Sequence, residues 1–173
     1  GINGSRTDSP LSVNGMKTAK DLVTPVSQHN YDLIIVSPLQ RTLQTIQPYL
    51  DSLKQKPNVL VDPLTIERDL WVFTNTKYGD GKIPADQKAQ GKSQCEWQPK
   101  GGESTATVGL RAKQFLKELQ TRTKKSILIC GHQNFLRCLE LIISGEPIDD
   151  EHFYSENPPR LKPGEIRELT LES

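Results

Sequence analysis

The chain has 173 residues, of which 34% are hydrophobic, and its 22 lysines and arginines nearly balance 21 acidic residues for a net charge of +1. This length and apolar content suit one domain with a single substantial core. The near-neutral charge excludes binding to nucleic acid or to a membrane surface driven by bulk charge. No run approaches the roughly 18 apolar residues of a membrane span.

The cysteines, Cys95, Cys130 and Cys138, are odd in number, and none is spaced as C-x-x-C. This pattern predicts neither a disulfide framework nor a zinc site. Free thiols in a reducing compartment are the simplest interpretation. Because the printed residues also contain no signal peptide, we expect a cytoplasmic protein.

The chain opens with residues 1–10, a loop-like mixture of Gly, Asn, Ser, Asp and Pro. Apolar residues then recur at helical spacing from Ser12, a plausible N-cap, to about Gln28. A continuous apolar run predicts a strand over residues 32–36, because such runs suit strands covered on both faces. The next apolar stripe predicts a helix over about residues 39–53, in which Pro48 should produce a kink or a restart.

A short strand is predicted at residues 58–61. The segment that follows, residues 71–102, is polar, with five lysines and no firm periodicity. It is typical of an insertion or lid over a site. Trp71 and Trp97 bracket this segment, and we expect them to anchor it to the domain.

The last third of the chain continues the alternation. A helix is predicted from Glu103 to about Arg122, and an apolar run predicts a strand over residues 126–130. Residues 134–144 should form a short helix that Gly145 ends. Residues 165–171 alternate, which predicts a half-exposed strand.

Together these elements predict one domain over residues 1–173, folded as a three-layer α/β/α sandwich with a mostly parallel sheet. An α/β domain normally begins with a strand, yet none precedes the first predicted helix. We therefore expect that the first strand of the sheet is missing from these residues.

Three side chains of complementary chemistry follow the predicted strands. Arg41, Glu67 and His132 come just after the strands at 32–36, 58–61 and 126–130, where open parallel sheets bind their ligands. The planar guanidinium of an arginine and the free backbone amides at the start of a helix can both donate hydrogen bonds to phosphoryl oxygens. A histidine can donate a hydrogen bond or carry a proton, and a buried carboxyl can protonate a leaving oxygen. No carboxylate cluster suggests a divalent metal, and the sequence contains no P-loop lysine motif.

Five motifs, in order along the chain, resemble one known family. They are DSPLSVNG (8–15), SPLQRTLQT (37–45), TIERD (65–69), GGES (101–104) and GHQNFLR (131–137). The set resembles the histidine phosphatase superfamily, also called phosphoglycerate mutase-like. The resemblance implies a phosphoglycerate mutase-like fold and hydrolysis of a phosphomonoester through a phosphohistidine intermediate. It also implies a phosphorylated small molecule or phosphoprotein as substrate, with no cofactor, metal, nucleic acid or membrane involved.

Carried over residue by residue, the resemblance assigns a role to each candidate. Arg41 would clamp the phosphate, and His132 would stabilise the phosphoryl group in transfer. Glu67 would protonate the leaving oxygen and then activate water. The phosphate pocket would also include Gln133, Glu103 and Ser104.

The family's signature Arg-His-Gly, whose histidine is the nucleophile, is absent from these residues. His29 precedes a predicted strand, at the wrong end of the sheet, and His152 lies in a polar stretch without a matching motif. Either an upstream segment with the strand and the motif is not included, or the protein is a natural member without a nucleophile. We favour the first, because a buried strand is missing as well as a histidine. In that case the absence of a signal peptide says nothing about location.

Other functions remain open. A member without a nucleophile would bind a phosphate or a protein partner without turnover, and a mutase would transfer the phosphoryl group instead of releasing it. A sheet that lacks a strand could also exchange strands with another chain. The sequence fixes neither the substrate nor the oligomeric state.

Several candidates also have ordinary structural alternatives. Glu103 or Ser104 could only cap the following helix. Glu67 could pair with Arg68 or face solvent. Arg6, in the opening loop, could reach an anion, but an arginine in such a loop is more often solvated.

Overall fold

The computed structural model describes residues 3–123 and 126–171. Within them, three parallel strands form one sheet: β1 (Leu33–Val36), β2 (Asn58–Val61) and β3 (Ile127–Cys130). The helices are α1 (Val13–Asp21), α2 (Val23–Val26), α3 (Gln40–Ser52), α4 (Lys82–Gln90), α5 (Thr105–Gln120), α6 (Gln133–Ile143) and α7 (Asp150–Phe153). Across the described ranges, no helix has the length and apolar character needed to cross a bilayer.

β1 lies at the centre of the sheet, between β2 and β3. Ile35 of β1 is level with Leu60 of β2 and with Ile129 of β3. The pairing continues past the strands, since Asp62 N donates to Val36 O and Ser37 N donates to Cys130 O, both at 3.0 Å. The carboxyl ends of the three strands therefore meet at one edge of the sheet.

The two faces of β1 belong to two hydrophobic cores. All four residues of β1 are buried, and successive side chains of a strand point to opposite faces. Leu33 and Ile35 pack in the core built by α5 and α6, whereas Ile34 and Val36 pack in the core built by α2 and α3. Helices thus cover both faces of the sheet, which confirms the predicted three-layer α/β/α sandwich.

The single helix predicted from Ser12 to Gln28 is instead two helices. Ser12 is the N-cap as expected, because its Oγ accepts a 3.1 Å hydrogen bond from Gly15 N. α1 ends at Asp21, and α2 begins after Leu22. Pro25 has no N–H to donate to the carbonyl four residues earlier, which explains why the first helix does not continue.

Pro48 does not restart the second predicted helix, because α3 runs through it from Gln40 to Ser52. A proline in a helix interior costs about 3 kcal/mol. Ile46, Tyr49 and Leu50, on either side of Pro48, are buried in the core beneath the sheet. This packing holds both halves of α3 in one helix.

The polar segment 71–102 contains a helix that the sequence did not predict. α4 buries none of its residues, so the segment has no apolar stripe to signal a helix. Trp97 is buried and lies 5.1 Å from the guanidinium of Arg68, so it anchors the segment as expected. Trp71 is 62% exposed, and its expected anchoring role is wrong. A lid function for this segment stays a prediction.

The strand predicted at residues 165–171 is wrong. The structure has no strand there, and Leu169 and Leu171 are each 40% exposed. Residues 168–171 line a cavity with Leu116 of α5 and Ile142 of α6. They lie beside helices and have no neighbouring strand in the described sheet. Because a strand requires a hydrogen-bonded neighbour, the alternation alone could not form one.

Candidate active site

His132 stands at the carboxyl end of β3, as the residue that precedes α6. Its side chain is buried, and its Nε2 lies 2.7 Å from Oγ of Ser37, the residue after β1. Burial, together with the nearby charges of Arg41 and Arg111, lowers the pKa of His132 to about 3. The imidazole is therefore neutral at pH 7.

Arg41 lies in the first turn of α3, where the opening loop fixes it. Its Nη1 donates to Thr7 O at 2.8 Å, and its Nη2 donates to Ser5 O at 2.9 Å. Burial lowers the pKa of Arg41, but an arginine remains charged at physiological pH. A guanidinium has five N–H donors, so Arg41 keeps donors for an anionic ligand.

Glu67 follows the turn after β2 and is partly buried. Its Oε1 accepts hydrogen bonds from Arg68 N at 2.7 Å and from Asn134 Nδ2 at 3.1 Å. Burial raises the pKa of Glu67, although these hydrogen bonds and the charges of Arg41 and Arg111 lower it. A carboxyl with a raised pKa holds its proton at higher pH and can act as an acid.

Glu103 lies in a cluster of ion pairs. Arg111 Nε donates to its Oε1 at 3.0 Å, and Arg6 Nη2 lies 2.9 Å from its Oε2. Burial raises the pKa of Glu103, but the hydrogen bond and charge of Arg111, together with Asp69 N and the charge of Arg6, lower it more, so the net pKa lies below its usual value. Arg6, which also donates to Glu67 O, is held by these contacts, so the expected solvated side chain is wrong.

Ser104 and Gln133 have local roles in the structure. Ser104 is the N-cap of α5, because its Oγ accepts a 3.0 Å hydrogen bond from Thr107 N. Gln133 is the first residue of α6, and its Nε2 donates to Leu161 O at 2.9 Å. Their placement in a phosphate pocket stays a prediction.

The two other histidines lie away from this edge of the sheet. The ring of His29 is 6.2 Å from that of Tyr31, before β1. His152 lies in α7, where its Nδ1 is 2.7 Å from Asp149 and its Nε2 is 3.3 Å from Glu146. In the described residues, His132 is therefore the histidine beside Arg41 and Glu67.

Sequence reasoning missed three residues of the site. Ser37 and Asn134 sit inside the quoted motifs but carry no charge, so no chemical role singled them out. Arg111 follows Glu103 by eight residues, about two turns of the helix predicted to begin at Glu103, a spacing that brings two side chains toward the same side of a helix. That spacing was the available signal for Arg111.

The site combines a cationic fork, a neutral imidazole and a carboxyl with a raised pKa. The free amides at the start of α6 add anion-binding donors beside His132. In the described part of the chain, no group of three or more His, Cys, Asp or Glu residues could hold a metal ion. This arrangement suits an anionic substrate whose reaction releases an alcohol through its ester oxygen, as hydrolysis of a phosphomonoester does.

A parallel α/β sandwich with anion-binding groups at the carboxyl ends of its strands is the architecture of many α/β proteins that bind phosphorylated ligands. The family model of the histidine phosphatase superfamily (branch 1) matches residues 1–157. The chain belongs to this family.

The relatives are phosphatases. The chain is 28% identical over 151 residues to phosphoserine phosphatase 1 of Hydrogenobacter thermophilus, a match over 86% of this chain and 70% of that protein. It is 29% identical over 153 residues to fructose-2,6-bisphosphatase of Saccharomyces cerevisiae, a match over 86% of this chain and 32% of that protein.

Solved structures share the fold. The alpha-ribazole phosphatase from Shigella flexneri superposes with a TM-score of 0.79 and 24% sequence identity, over 95% of this chain and 79% of that one. This likeness confirms the α/β architecture.

Proposed function

We propose that this domain hydrolyses phosphomonoesters through a phosphohistidine intermediate. The observation that carries the proposal is the meeting of Arg41, His132 and Glu67 at the carboxyl edge of the sheet, where each lies within electrostatic reach of another. The phosphatase relatives support the same reaction class. Two of them are named for phosphorylated small molecules, which supports that substrate class over a phosphoprotein.

Arg41 and His132 bind the phosphoryl group in this proposal. The guanidinium and the neutral imidazole donate hydrogen bonds to non-bridging oxygens, whose charge shifts as the phosphoryl group is transferred. The opening loop fixes Arg41, and Ser37 fixes His132. Little reorganisation is therefore needed when the reaction occurs.

Glu67 supplies the proton to the leaving oxygen. Burial raises its pKa, which keeps part of the population protonated at a pH where an exposed glutamate is ionised. After the alcohol departs, the Glu67 carboxylate takes a proton from water, which attacks the phosphohistidine and releases phosphate.

The attacking imidazole is not one of the three histidines of these residues. His132 Nε2 is engaged by Ser37, and His29 and His152 lie elsewhere in the fold. We propose that a histidine outside residues 1–173 supplies the attacking imidazole, as the family resemblance implies.

We also propose a cytoplasmic location, consistent with three free cysteines.

The proposal is tested with the protein expressed from its complete coding sequence. Arg41→Ala and His132→Ala should each lower kcat for p-nitrophenyl phosphate by about 100- to 1000-fold, because each removes a donor to the transferring group. Arg122→Ala is the matched control, since Arg122 is exposed at the end of α5. Unchanged turnover in either site variant would remove that residue from the mechanism.

A non-catalytic phosphate-binding role is the second candidate, because Arg41 and His132 can bind an anion without a nucleophile. It predicts that inorganic phosphate raises the melting temperature while the complete protein turns over no phosphomonoester. Acid-labile, alkali-stable phosphate on the protein after mixing with substrate would instead establish the phosphohistidine route.

A further inference from the structure

The side chains of Ser37 and His132 meet at a position that their backbones determine. Ser37 N donates a hydrogen bond to Cys130 O at 3.0 Å, and His132 O accepts one from Leu136 N at 2.8 Å. Ser37 O also accepts a 2.8 Å hydrogen bond from Thr42 Oγ1. The 2.7 Å distance between Ser37 Oγ and His132 Nε2 is therefore set by the strand ends and by the start of α6.

The hydroxyl of Ser37 has one available partner. Ser37 is 0% exposed. Among the described residues, the hydrogen-bond partner of its Oγ is Nε2 of His132. If Nε2 carried the proton and donated to Oγ, the hydroxyl hydrogen would be buried without an acceptor. Such an unsatisfied group costs about 1–3 kcal/mol. If the hydroxyl donates to an unprotonated Nε2, both groups are satisfied.

The other ring nitrogen is placed differently. His132 Nδ1 has no hydrogen-bond partner among the described residues, yet no buried side-chain nitrogen or oxygen of that part of the chain lacks one. Nδ1 therefore reaches solvent. A proton on Nδ1 is hydrated when the site is empty and is free to bind an anion's oxygen.

We propose that Ser37 is a positioning residue that holds neutral His132 as its Nδ1–H tautomer, so that His132 presents Nδ1–H as a hydrogen-bond donor to a phosphoryl oxygen. His132 then stabilises the transferring group without delivering a proton, and Glu67 is the acid. The contribution to catalysis rests on the proposed phosphomonoesterase function, whereas the tautomer does not.

The tautomer is measured by two-bond ¹H–¹⁵N correlation spectra of the labelled protein expressed from its complete coding sequence. The signals that disappear in His132→Gln are assigned to His132. We expect a protonated, pyrrole-type shift at His132 Nδ1 and an unprotonated, pyridine-type shift at Nε2. A protonated Nε2 in the native chain overturns the proposal without any variant.

Ser37→Ala tests whether the hydroxyl selects the tautomer. Its loss should move the proton wholly or partly to Nε2, seen as an exchange or convergence of the two ¹⁵N shifts. Thr65→Val is the matched control, because it removes a buried hydroxyl whose hydrogen bond goes to Asp62 O and not to His132. An unchanged spectrum in folded Ser37→Ala contradicts the role of Ser37.

The outcomes separate this inference from the proposed function. An Nδ1–H tautomer in a complete protein that hydrolyses no phosphomonoester rejects the reaction and keeps the Ser37 assignment. An Nε2–H tautomer in an active phosphatase rejects the Ser37 assignment and keeps the proposed reaction.

Discussion

At the scale of the residue, the acid–base properties of the site come from neighbours that are distant in sequence. Glu67 receives a hydrogen bond from Asn134, which lies 67 residues later. His132 is neutral because it is buried beside Arg41 and Arg111. The reactive properties of these side chains belong to the folded site and not to the residue types alone.

Asn134→Ala should raise the pKa of Glu67 further. The amide of Asn134 donates to the Glu67 carboxylate and so lowers its pKa, while burial continues to raise it. The measurement is a ¹³C titration of the Glu67 carboxyl. Gln133→Ala is the matched control, because the neighbouring side chain bonds Leu161 O instead. A pKa of Glu67 that falls or stays constant in Asn134→Ala contradicts the assigned hydrogen bond.

At the scale of the element, the ends of helices are set by local chemistry that the sequence displays. Ser12 and Ser104 cap α1 and α5 through their hydroxyls. After α6, Gly145 adopts φ 74°. Gly145 N then donates to Ile142 O at 3.2 Å, and Glu146 N donates to Leu141 O at 2.8 Å. This pair of hydrogen bonds is the Schellman motif, which satisfies the last carbonyls of a helix.

Gly145→Ala should lower the free energy of unfolding by about 1–2 kcal/mol, the cost of a left-handed conformation for a residue with a Cβ. A Cβ at Gly145 meets no atom within 4 Å, so this cost is conformational and not steric. Gly145→Asn should lose less, because asparagine tolerates this conformation. Equal losses in the two variants, measured by urea unfolding, would show that another effect dominates.

At the scale of the whole molecule, burial of His132 couples stability to pH. The pKa of His132 is about 3 in the folded chain, against about 6.5 for an unperturbed histidine. Below about pH 6.5 the unfolded chain binds a proton at this residue and the folded chain does not. The resulting contribution to stability is complete above this pH and is lost as the pH falls toward 3.

His132→Gln should therefore weaken the fall in stability between about pH 6.5 and pH 4. The native chain should lose up to about 1.4 kcal/mol per pH unit more than the variant over this range. Unfolding free energies of both proteins at several pH values measure the difference, because the carboxylate contributions largely cancel. Parallel curves for the two proteins would falsify the burial of a neutral His132.

His152→Gln serves as the control of opposite sign. Hydrogen bonding and charge from Asp149 raise the pKa of His152. Its contribution to stability is present at low pH and is lost as the pH rises through its folded pKa. Removal of the His152 imidazole should leave the steep fall of the unfolding free energy between about pH 6.5 and pH 4 unchanged.

The sequence by itself determined the three strands of the sheet, most of the helices, and the positions of the candidate site residues after those strands. The apolar runs that contain β1 and β3 are buried and partly buried respectively, and such continuous apolar composition marks a strand in the sequence. Arg41, Glu67 and His132 follow strands because the carboxyl ends of parallel strands share one edge. Their convergence was therefore predictable from topology, and five motifs in order gave the family.

Only the tertiary structure decided what those elements and side chains do. Residues 165–171 alternate like a strand but lie beside helices without a strand to pair with, and α4 forms without any apolar stripe. Arg6 and Ser37 became parts of the candidate site through contacts with residues far away in the chain. Strand pairing and the burial of charge depend on which groups meet in space, and periodicity along one chain does not contain that information.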